Sequence, residues 1–340
     1  MPQCMEKYKN KFAIEFAKLM QENLVNWTKI QKENKRKIFT TDILMSMLWA
    51  SALFLLLGVP LFIAIFRGGA MDLGAGNIVL SSVLLYGIVL WLFVFIIFYI
   101  SAIFERNKNL QQIMKNQIYP KLLKIFTPKI YYQKGVISND VYASTNLFDE
   151  KITKQERDDF FSGEYDGIEF KVNEVELIST RDRILEGYDR SKQEDVTLFK
   201  GVVLNFTLNK SISSHIHIYA KNSKKAPVGF EKVNLEYENF NKKYDVYVQK
   251  GGQIEARYLL TTMFMERLMQ LEMAFPVECI QCSIKDKEML ILLSTNKDLF
   301  EIGHILNNLN DITQYQNMFD EFASVLSFID VLNLASKTGL

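Results

Sequence analysis

The 340-residue chain has few of the residues that build metal centres and disulfide frameworks, with only three cysteines and three histidines. Cys279 and Cys282 form a Cys-x-x-Cys pair, but the sequence has no second pair to complete a zinc site. Cys4 adds no framework if the chain lies in the cytoplasm, as the charge pattern described below predicts, because thiols stay reduced there. We therefore interpret the cysteines as structural or incidental thiols.

Histidine is equally sparse. His215 and His217 are two residues apart in a candidate strand, so both would project from one face at a spacing that can bind a metal. The third histidine, His304, is distant in sequence, and no carboxylate is locally fixed beside the pair. We interpret the pair as polar-face residues of an ordinary half-buried strand, and the sequence implies no metal and no cofactor.

Motifs of phosphate binding and nucleophilic catalysis are also missing. Gly251-Gly252 lacks the Lys and the Ser or Thr of a nucleotide-binding loop and is typical of a turn, and there is no Gly-x-Ser-x-Gly run. Acidic residues suited to acid–base chemistry lie in turn-rich sequence, where we interpret them as solvated or backbone-capping groups. They are Asp158, Asp159, Glu164 and Asp166. An enzyme is therefore the minority hypothesis.

Two long runs contain no Asp, Glu, Lys, Arg or His. Residues 43–66 and 78–104 are uncharged and apolar, and each exceeds the roughly 20 residues that a bilayer requires. Between residues 78 and 100 there are 17 Leu, Ile, Val or Phe residues, which favour insertion by roughly 7 kcal/mol. We predict two transmembrane helices joined by the loop 67–77. Because no charged residue lies inside them, anchoring is favoured over transport.

Positive charge flanks the outer ends of both runs, whereas the loop between them contains only Arg67. The flanking cations are Lys29, Lys32, Lys35, Arg36, Lys37, Arg106, Lys108, Lys115, Lys121 and Lys124. Since such flanks stay on the cytoplasmic side, we expect both termini in the cytoplasm and the loop 67–77 outside it. The first run starts too deep in the chain for a cleaved signal peptide.

The nearly neutral chain divides into oppositely charged parts. Residues 1–126 carry a net charge of +8 and residues 127–340 a net charge of −7. This division fits a basic membrane-proximal part beside anionic lipid and an acidic domain away from it. It argues against a nucleic-acid partner, which would require a basic face.

Apolar residues recur at helical spacing on both sides of the membrane hairpin. We predict an amphipathic cytoplasmic helix in 1–42 and a juxtamembrane helix in 105–126, whose apolar faces pack together as a stalk; a partner helix or the membrane surface is the alternative. The period changes to two after residue 128. Candidate strands are 129–132, 167–178, 198–208, 215–219, 244–249, 279–284 and 289–293, with helices in 254–275 and 312–334. Residues 127–340 are therefore predicted as an α+β domain with a mostly antiparallel sheet.

One run carries a family resemblance. Residues 253–262, Gln-Ile-Glu-Ala-Arg-Tyr-Leu-Leu-Thr-Thr, followed by Met265-Glu266-Arg267-Leu268, resemble the hallmark segment of the bacterial membrane family catalogued as domain of unknown function 3137. Further matches are Phe199-Lys200-Gly201 with Asn209-Lys210, the turn Gly163-Glu164-Tyr165-Asp166-Gly167, and the two-span front end. The resemblance covers residues 40 to about 305. The chain departs from the family pattern at Thr261-Thr262 and at Lys250-Gly251-Gly252.

The resemblance implies a bacterial inner-membrane location and, through association with LemA-type membrane proteins, another membrane protein as partner. It carries no established activity or functional residue. From the residues themselves, Glu255 and Arg257 are expected to pair with neighbouring strands or caps, Tyr258 to lie in the core and Glu266 to border the apolar face of a helix. If Glu255, Arg257 and Glu266 instead converge, these three with Tyr258 form the candidate ligand or partner site.

The sequence thus predicts a multi-pass membrane protein whose cytoplasmic domain acts as a binding or scaffolding module. The alternatives are a membrane-tethered enzyme that uses the Glu255, Arg257 and Glu266 region, and a domain that binds a small ligand or lipid headgroups.

Overall fold

A computed structural model describes residues 3–58, 76–184, 191–275, 277–304, 308–309 and 313–337. The chain forms two compact units. The helical unit comprises Leu19–Lys115 and Ile302–Asp311, and the sheet unit comprises Met1–Lys18, Asn116–Glu301 and Ile312–Leu340. Residues 59–66 of the first predicted span and residues 67–75 of the predicted loop 67–77 lie outside the described residues.

Long helices form the front of the chain. Helix α1, Gln3–Lys37, passes through a π-helical segment, Ile38–Asp42, into α2, Ile43–Leu53, which ends in a second π-helical segment, Phe54–Gly58. Helix α3 runs over Gly76–Leu122. Two helical stretches, Tyr8–Leu56 and Gly87–Ile125, are long and apolar enough to cross a membrane by length and composition.

Helices α2 and α3 pack against each other in the helical unit. The indole Nε1 of Trp91 donates a hydrogen bond to Ser51 Oγ at 3.2 Å. Gly87 brings the backbone of α3 close to α2, since a Cβ built there would lie 3.1 Å from the ring of Phe54. Small and polar residues at such a helix contact allow close approach.

A bidentate ion pair also joins α3 to the π-helical segment that precedes α2. The Arg106 guanidinium donates from Nε to Asp42 Oδ2 and from Nη2 to Asp42 Oδ1, both at 3.1 Å. Asp42 is buried. The two hydrogen bonds from Arg106 therefore offset the loss of water around its charged carboxylate.

Among the described residues of the sheet unit there are seven strands: β1 Ile130–Tyr132, β2 Lys154–Tyr165, β3 Ile168–Ile184, β4 Ser191–Ala220, β5 Phe230–Val233, β6 Tyr244–Gln249 and β7 Cys279–Ser294. All described pairs are antiparallel, in the order β1-β2-β3-β4-β6-β5, with β7 paired to β4. The predicted α+β domain with an antiparallel sheet is therefore confirmed. Strands β2 and β5 were not predicted, and β4 and β7 are each one strand where two were predicted.

Strand β4 organises the sheet because it is paired on both edges. One edge pairs first with β3 and, further along, with β6; the other edge pairs with β7. The pairing with β7 shifts in register twice between Thr207 and Ile216. Such bulges bend a strand and leave backbone groups for other partners.

The β2–β3 hairpin turns through two residues, Asp166 and Gly167, with φ of 47° and 82°. Positive φ values at both central positions are characteristic of a type I′ turn, for which Asp-Gly is a preferred pair. Asn333 donates from Nδ2 to the carbonyl and to the carboxylate of Asp166, at 2.7 and 3.0 Å.

Five further helices complete the sheet unit: α4 Asn139–Thr145, α5 Glu238–Lys243, α6 Gln253–Leu259, α7 Thr262–Ala274 and α8 Thr313–Lys337. The single helix predicted in 254–275 is thus two helices. The second begins at Thr262 and is capped by Thr261, whose Oγ1 accepts a hydrogen bond from Phe264 N at 3.2 Å.

The sheet has an apolar layer on each face. Helices α7 and α8 cover one face, where Phe328 contacts both Phe264 and Phe206. Under α4 and the segment around it, the other layer consists of Ile137, Tyr142, Leu147, Ile152, Phe160, Val175, Leu177, Phe199, Val203, Tyr219, Tyr247, Leu290 and Leu292.

The start of α1 packs within the sheet unit. Tyr8 contacts Phe126, with ring centroids 5.3 Å apart. The rings of Phe12 and Phe16 contact those of Phe319 and Tyr315 of α8, with centroids 4.7 and 4.2 Å apart respectively. The apolar face at the start of the first amphipathic helix therefore packs against α8, and its packing in a stalk stays a prediction.

Candidate functional site

The predicted site residues lie on α6 and α7. Glu255 accepts hydrogen bonds from the backbone N–H groups of Ser213 and Ser214, at 2.9 and 2.7 Å. These amides belong to the irregular part of β4. Glu255 thus supplies acceptors where the ladder is interrupted, which confirms the expected contact with a neighbouring strand.

The other three residues do not join Glu255. Arg257 and Glu266 are exposed, and Tyr258 is 61% exposed, so its expected place in the core is wrong. Among the residues that the structure describes, no hydrogen bond or ion pair connects Glu255, Arg257 and Glu266. Their joint role as a ligand or partner site stays a prediction.

Glu255→Gln is expected to lower the free energy of unfolding by about 1–2 kcal/mol, because a charged acceptor of two backbone amides is replaced by a neutral one. Glu266→Gln is the matched control, since the exposed Glu266 carboxylate lies on the next helix, and its effect should stay within about 0.5 kcal/mol. Thermal unfolding of the detergent-solubilised protein measures both. Equal effects of the two variants would contradict the capping role.

The two strand histidines are buried, so their interpretation as polar-face residues is wrong. His217 Nε2 lies 2.8 Å from His215 Nε2, and His215 Nε2 lies 2.8 Å from Ser283 Oγ. The other ring nitrogen of His217 is hydrogen-bonded to the Tyr219 hydroxyl. Burial lowers the pKa of His215 to about 4 and that of His217 to about 3, with smaller contributions from Lys285 and from His215 respectively.

The cysteines of the Cys-x-x-Cys pair are free thiols on β7. Cys282 is fully buried and Cys279 is half-buried, and burial raises the pKa of both thiols. Raised pKa values disfavour the nucleophilic thiolate. Both residues thus fit the expected structural role, whereas the side chain of Cys4 lies outside the described residues.

Carboxylates gather at a different place in the sheet unit, where the β2–β3 pairing meets the loop after β7. Asp158 and Asp159 occupy an irregularity in β2, where the pairing shifts between Arg157 and Phe160. Glu174 lies on the facing stretch of β3. The side-chain oxygens of Asp158, Asp298 and Glu301 lie within 4.8 Å of one another.

Glu174 connects these two elements. Its Oε1 accepts a hydrogen bond from Leu299 N at 2.9 Å, while its Oε2 is buried and has no hydrogen-bond partner among the described residues. Burial, with smaller contributions from the charges of Asp298, Asp159 and Asp158, raises the pKa of Glu174 to about 9. The carboxyl group is therefore neutral at pH 7.

A cavity of about 590 Å³ opens beside this loop, and we call it the acidic cavity. Its polar lining includes Asp298, Glu301, Asp320 and Glu321 together with the exposed Lys297. Glu321 is 8% exposed, and its Oε2 lacks a hydrogen-bond partner among the described residues. Burial, with the charge of Asp320, raises the pKa of Glu321 to about 8.

From the sequence, Asp158, Asp159, Glu164 and Asp166 were interpreted as solvated or backbone-capping groups. That interpretation is wrong for Asp159, which is 1% exposed and accepts a hydrogen bond from Tyr132 Oη at 2.8 Å. It agrees with Glu164, whose carboxylate pairs with Lys129 Nζ at 2.7 Å at the surface. Asp158 is exposed as expected, but it lies with Asp298 and Glu301.

A sequence signal for the cavity existed in α8. Glu321 stands three residues after Met318 and four before Val325, both buried, so it occupies the apolar stripe of the helix. A carboxylate in such a stripe marks either a buried acid or a site. Asp298 and Glu301 lie in a loop and gave no comparable signal.

Comparisons with known proteins agree with the family resemblance. Residues 197–334 match the family model described as "Protein of unknown function (DUF3137)", which confirms the resemblance over that segment. No curated protein matches the chain. One solved structure, "crystal structure of the mycobacterial trehalose monomycolate transport factor A, TtfA", is similar at 11% identity and a TM-score of 0.30, over 60% of this chain and 86% of that one.

Proposed function

We propose that this chain is a membrane-anchored binding module, held by α2 and α3 and acting through its sheet unit. The observation that carries the proposal is the outward apolar surface of these two helices. Large apolar side chains are exposed along both: Leu44, Leu48, Trp49, Leu55, Leu56, Ile88, Val89, Leu90, Phe93, Ile96, Ile97, Ile100 and Phe104. A patch of this size on a soluble protein would favour aggregation, whereas lipid solvates it.

The proposed orientation follows from charge. Lys and Arg residues flank the outer ends of both apolar runs, so the termini and the acidic domain 127–340 lie in the cytoplasm and the loop 67–77 lies outside. In the bacterial cell that the family resemblance implies, this is the inner membrane. A second membrane protein is the proposed partner.

Binding is favoured over catalysis by the predicted site residues. Glu255 is engaged by two backbone amides, and Arg257 and Glu266 are exposed without a hydrogen bond or ion pair to it among the described residues. An enzyme in this region would need them to converge on reacting atoms.

Labelling in intact cells tests the anchor and its orientation. A membrane-impermeant thiol reagent should label Met71→Cys in intact cells and Lys225→Cys only after lysis. The full chain should also stay in the membrane pellet after an alkaline wash. Release by the wash, or labelling of Lys225→Cys before lysis, would refute the proposal.

Crosslinking followed by affinity purification in mild detergent tests the binding role. The full chain is compared with a variant that ends at residue 126, which keeps the hairpin and lacks the domain. A stoichiometric protein captured only by the full chain is the expected result. Equal capture by the truncated variant would assign binding to the membrane helices instead.

A further inference from the structure

The carboxylates beside the acidic cavity are arranged as ligands for a metal ion. Two oxygens that are each about 2.4 Å from a shared Ca²⁺ ion are at most about 4.8 Å apart. The side-chain oxygens of Asp158, Asp298 and Glu301 meet this limit pairwise. Three carboxylates offer up to six oxygens, close to the coordination number that Ca²⁺ requires.

An independent observation indicates that the region is built to receive a cation. Glu321 comes from α8, a different element, and lines the same cavity as Asp298 and Glu301. It is 8% exposed, and its Oε2 has no hydrogen-bond donor among the described residues. A buried acceptor without a donor is costly. A cation with its bound waters would satisfy it.

Glu174 holds the loop that carries Asp298 in place. Its Oε1 is held by the amide of Leu299, next to Asp298, while Oε2 has no partner among the described residues. This hydrogen bond fixes the loop after β7, which carries Asp298 and Glu301, to strand β3. The loop is therefore held in position before any metal binds.

From this arrangement we infer that the sheet unit binds a hard divalent cation through Asp158, Asp298 and Glu301, with Glu321 contributing through bound water. All donors are oxygens, so Ca²⁺, Mg²⁺ or Mn²⁺ fits and a thiolate-preferring metal does not. Lys297 lines the cavity, but its side chain is exposed and can turn towards solvent. The site is separate from the proposed anchoring function, and each can fail without the other.

Calorimetric titration of the full chain in detergent micelles with Ca²⁺, Mg²⁺ and Mn²⁺ tests this inference. One ion should bind per chain, with saturation below about 10 mM, the upper range of weak protein sites. Asp298→Asn combined with Glu301→Gln should weaken binding at least tenfold, and Glu321→Gln should weaken it less. Glu236→Gln, on an exposed surface carboxylate outside both candidate sites, should bind as the unaltered chain does.

Folding of the variants is checked by circular dichroism. Removing like charges from a cluster relieves repulsion, so the double variant should fold, and Asp158→Asn serves as a second test from a different strand. Absence of saturable binding for all three ions would overturn the inference, and so would unchanged affinity in the double variant. Saturable binding of spermidine without any of the ions would also overturn it, in favour of an organic cation.

Discussion

Replacing Gly201 by alanine should lower the free energy of unfolding by about 4 kcal/mol, a large effect for one methyl group. Gly201 has a φ of +141°, and a Cβ built there would lie 2.1 Å from the carbonyl oxygen of Leu293 and 2.9 Å from the amide nitrogen of Thr295. Both atoms belong to backbone, so no side-chain rotation relieves the clash. Thermal unfolding should show a melting temperature lower by about 10 °C.

Gly229→Ala is the matched control for backbone strain alone. Gly229 also has a positive φ, +84°, but nothing lies within 4 Å of the position of its Cβ. Its substitution should cost about 1 kcal/mol, the penalty of an alanine in the left-handed region. Similar effects at both glycines would show that strand β7 moves to accommodate the methyl group.

This contact gives a physical meaning to residues that carried the family resemblance. Gly201 allows β4 and β7 to approach, and Gly163 allows β2 to approach β1, where a Cβ would lie 2.6 Å from Lys129 O. Asp166 and Gly167 supply the positive φ values of the β2–β3 turn. Glu255 caps the interrupted ladder of β4. At these positions the motifs preserve geometry, which explains why they revealed no chemistry.

Local pattern predicted the strands that are rich in β-branched and aromatic side chains. Strand β6 has the predicted bounds, 244–249, because it contains Tyr244, Val246, Tyr247 and Val248 and ends just before the Gly251-Gly252 turn. Strand β2 was missed because it begins with Lys-Gln-Glu-Arg-Asp-Asp, a charged run without alternation. In the folded chain, cross-strand partners on β3 stabilise β2 despite the low strand propensity of this run.

The acidic site could not be predicted because its residues are far apart in the sequence. Asp158 and Glu321 are more than a hundred residues apart, and no spacing motif connects either of them with Asp298. Their proximity depends on the bulge in β2 and on the loop that Glu174 holds. A bulge shifts the alternation of faces by one residue, so the sequence period alone could not show which carboxylate of Asp158-Asp159 faces outwards.

The second large effect is a loss of folding stability that the buried histidine pair should cause as the pH falls. His215 and His217 share a 2.8 Å contact between their Nε2 atoms, which accommodates one proton, and two protonated rings would oppose N–H groups inside the core. Their pKa values of about 4 and 3 lie below the ordinary 6.5. The unfolded chain therefore takes up protons first as the pH falls, so this contribution is complete above pH 6.5 and is lost between pH 6.5 and about 3.

At pH 4.5, two units below the ordinary 6.5, each of the two lowered pKa values should cost the folded state about 2.5 kcal/mol, about 5 kcal/mol for the pair, since one pKa unit corresponds to about 1.4 kcal/mol. This loss is measured by unfolding at pH 7 and pH 4.5 as a difference between variants of the two kinds of histidine. His217→Gln removes one titrating base and the opposed pair, and its stability should depend on pH much less steeply. His304→Gln, at the third histidine of the chain, should retain the full slope. Glu174 and Glu321 act in the opposite direction, because their raised pKa values favour the folded state in acid. The difference in slope between the two histidine variants therefore isolates the buried pair, and equal slopes would mean that the pair ionises without unfolding.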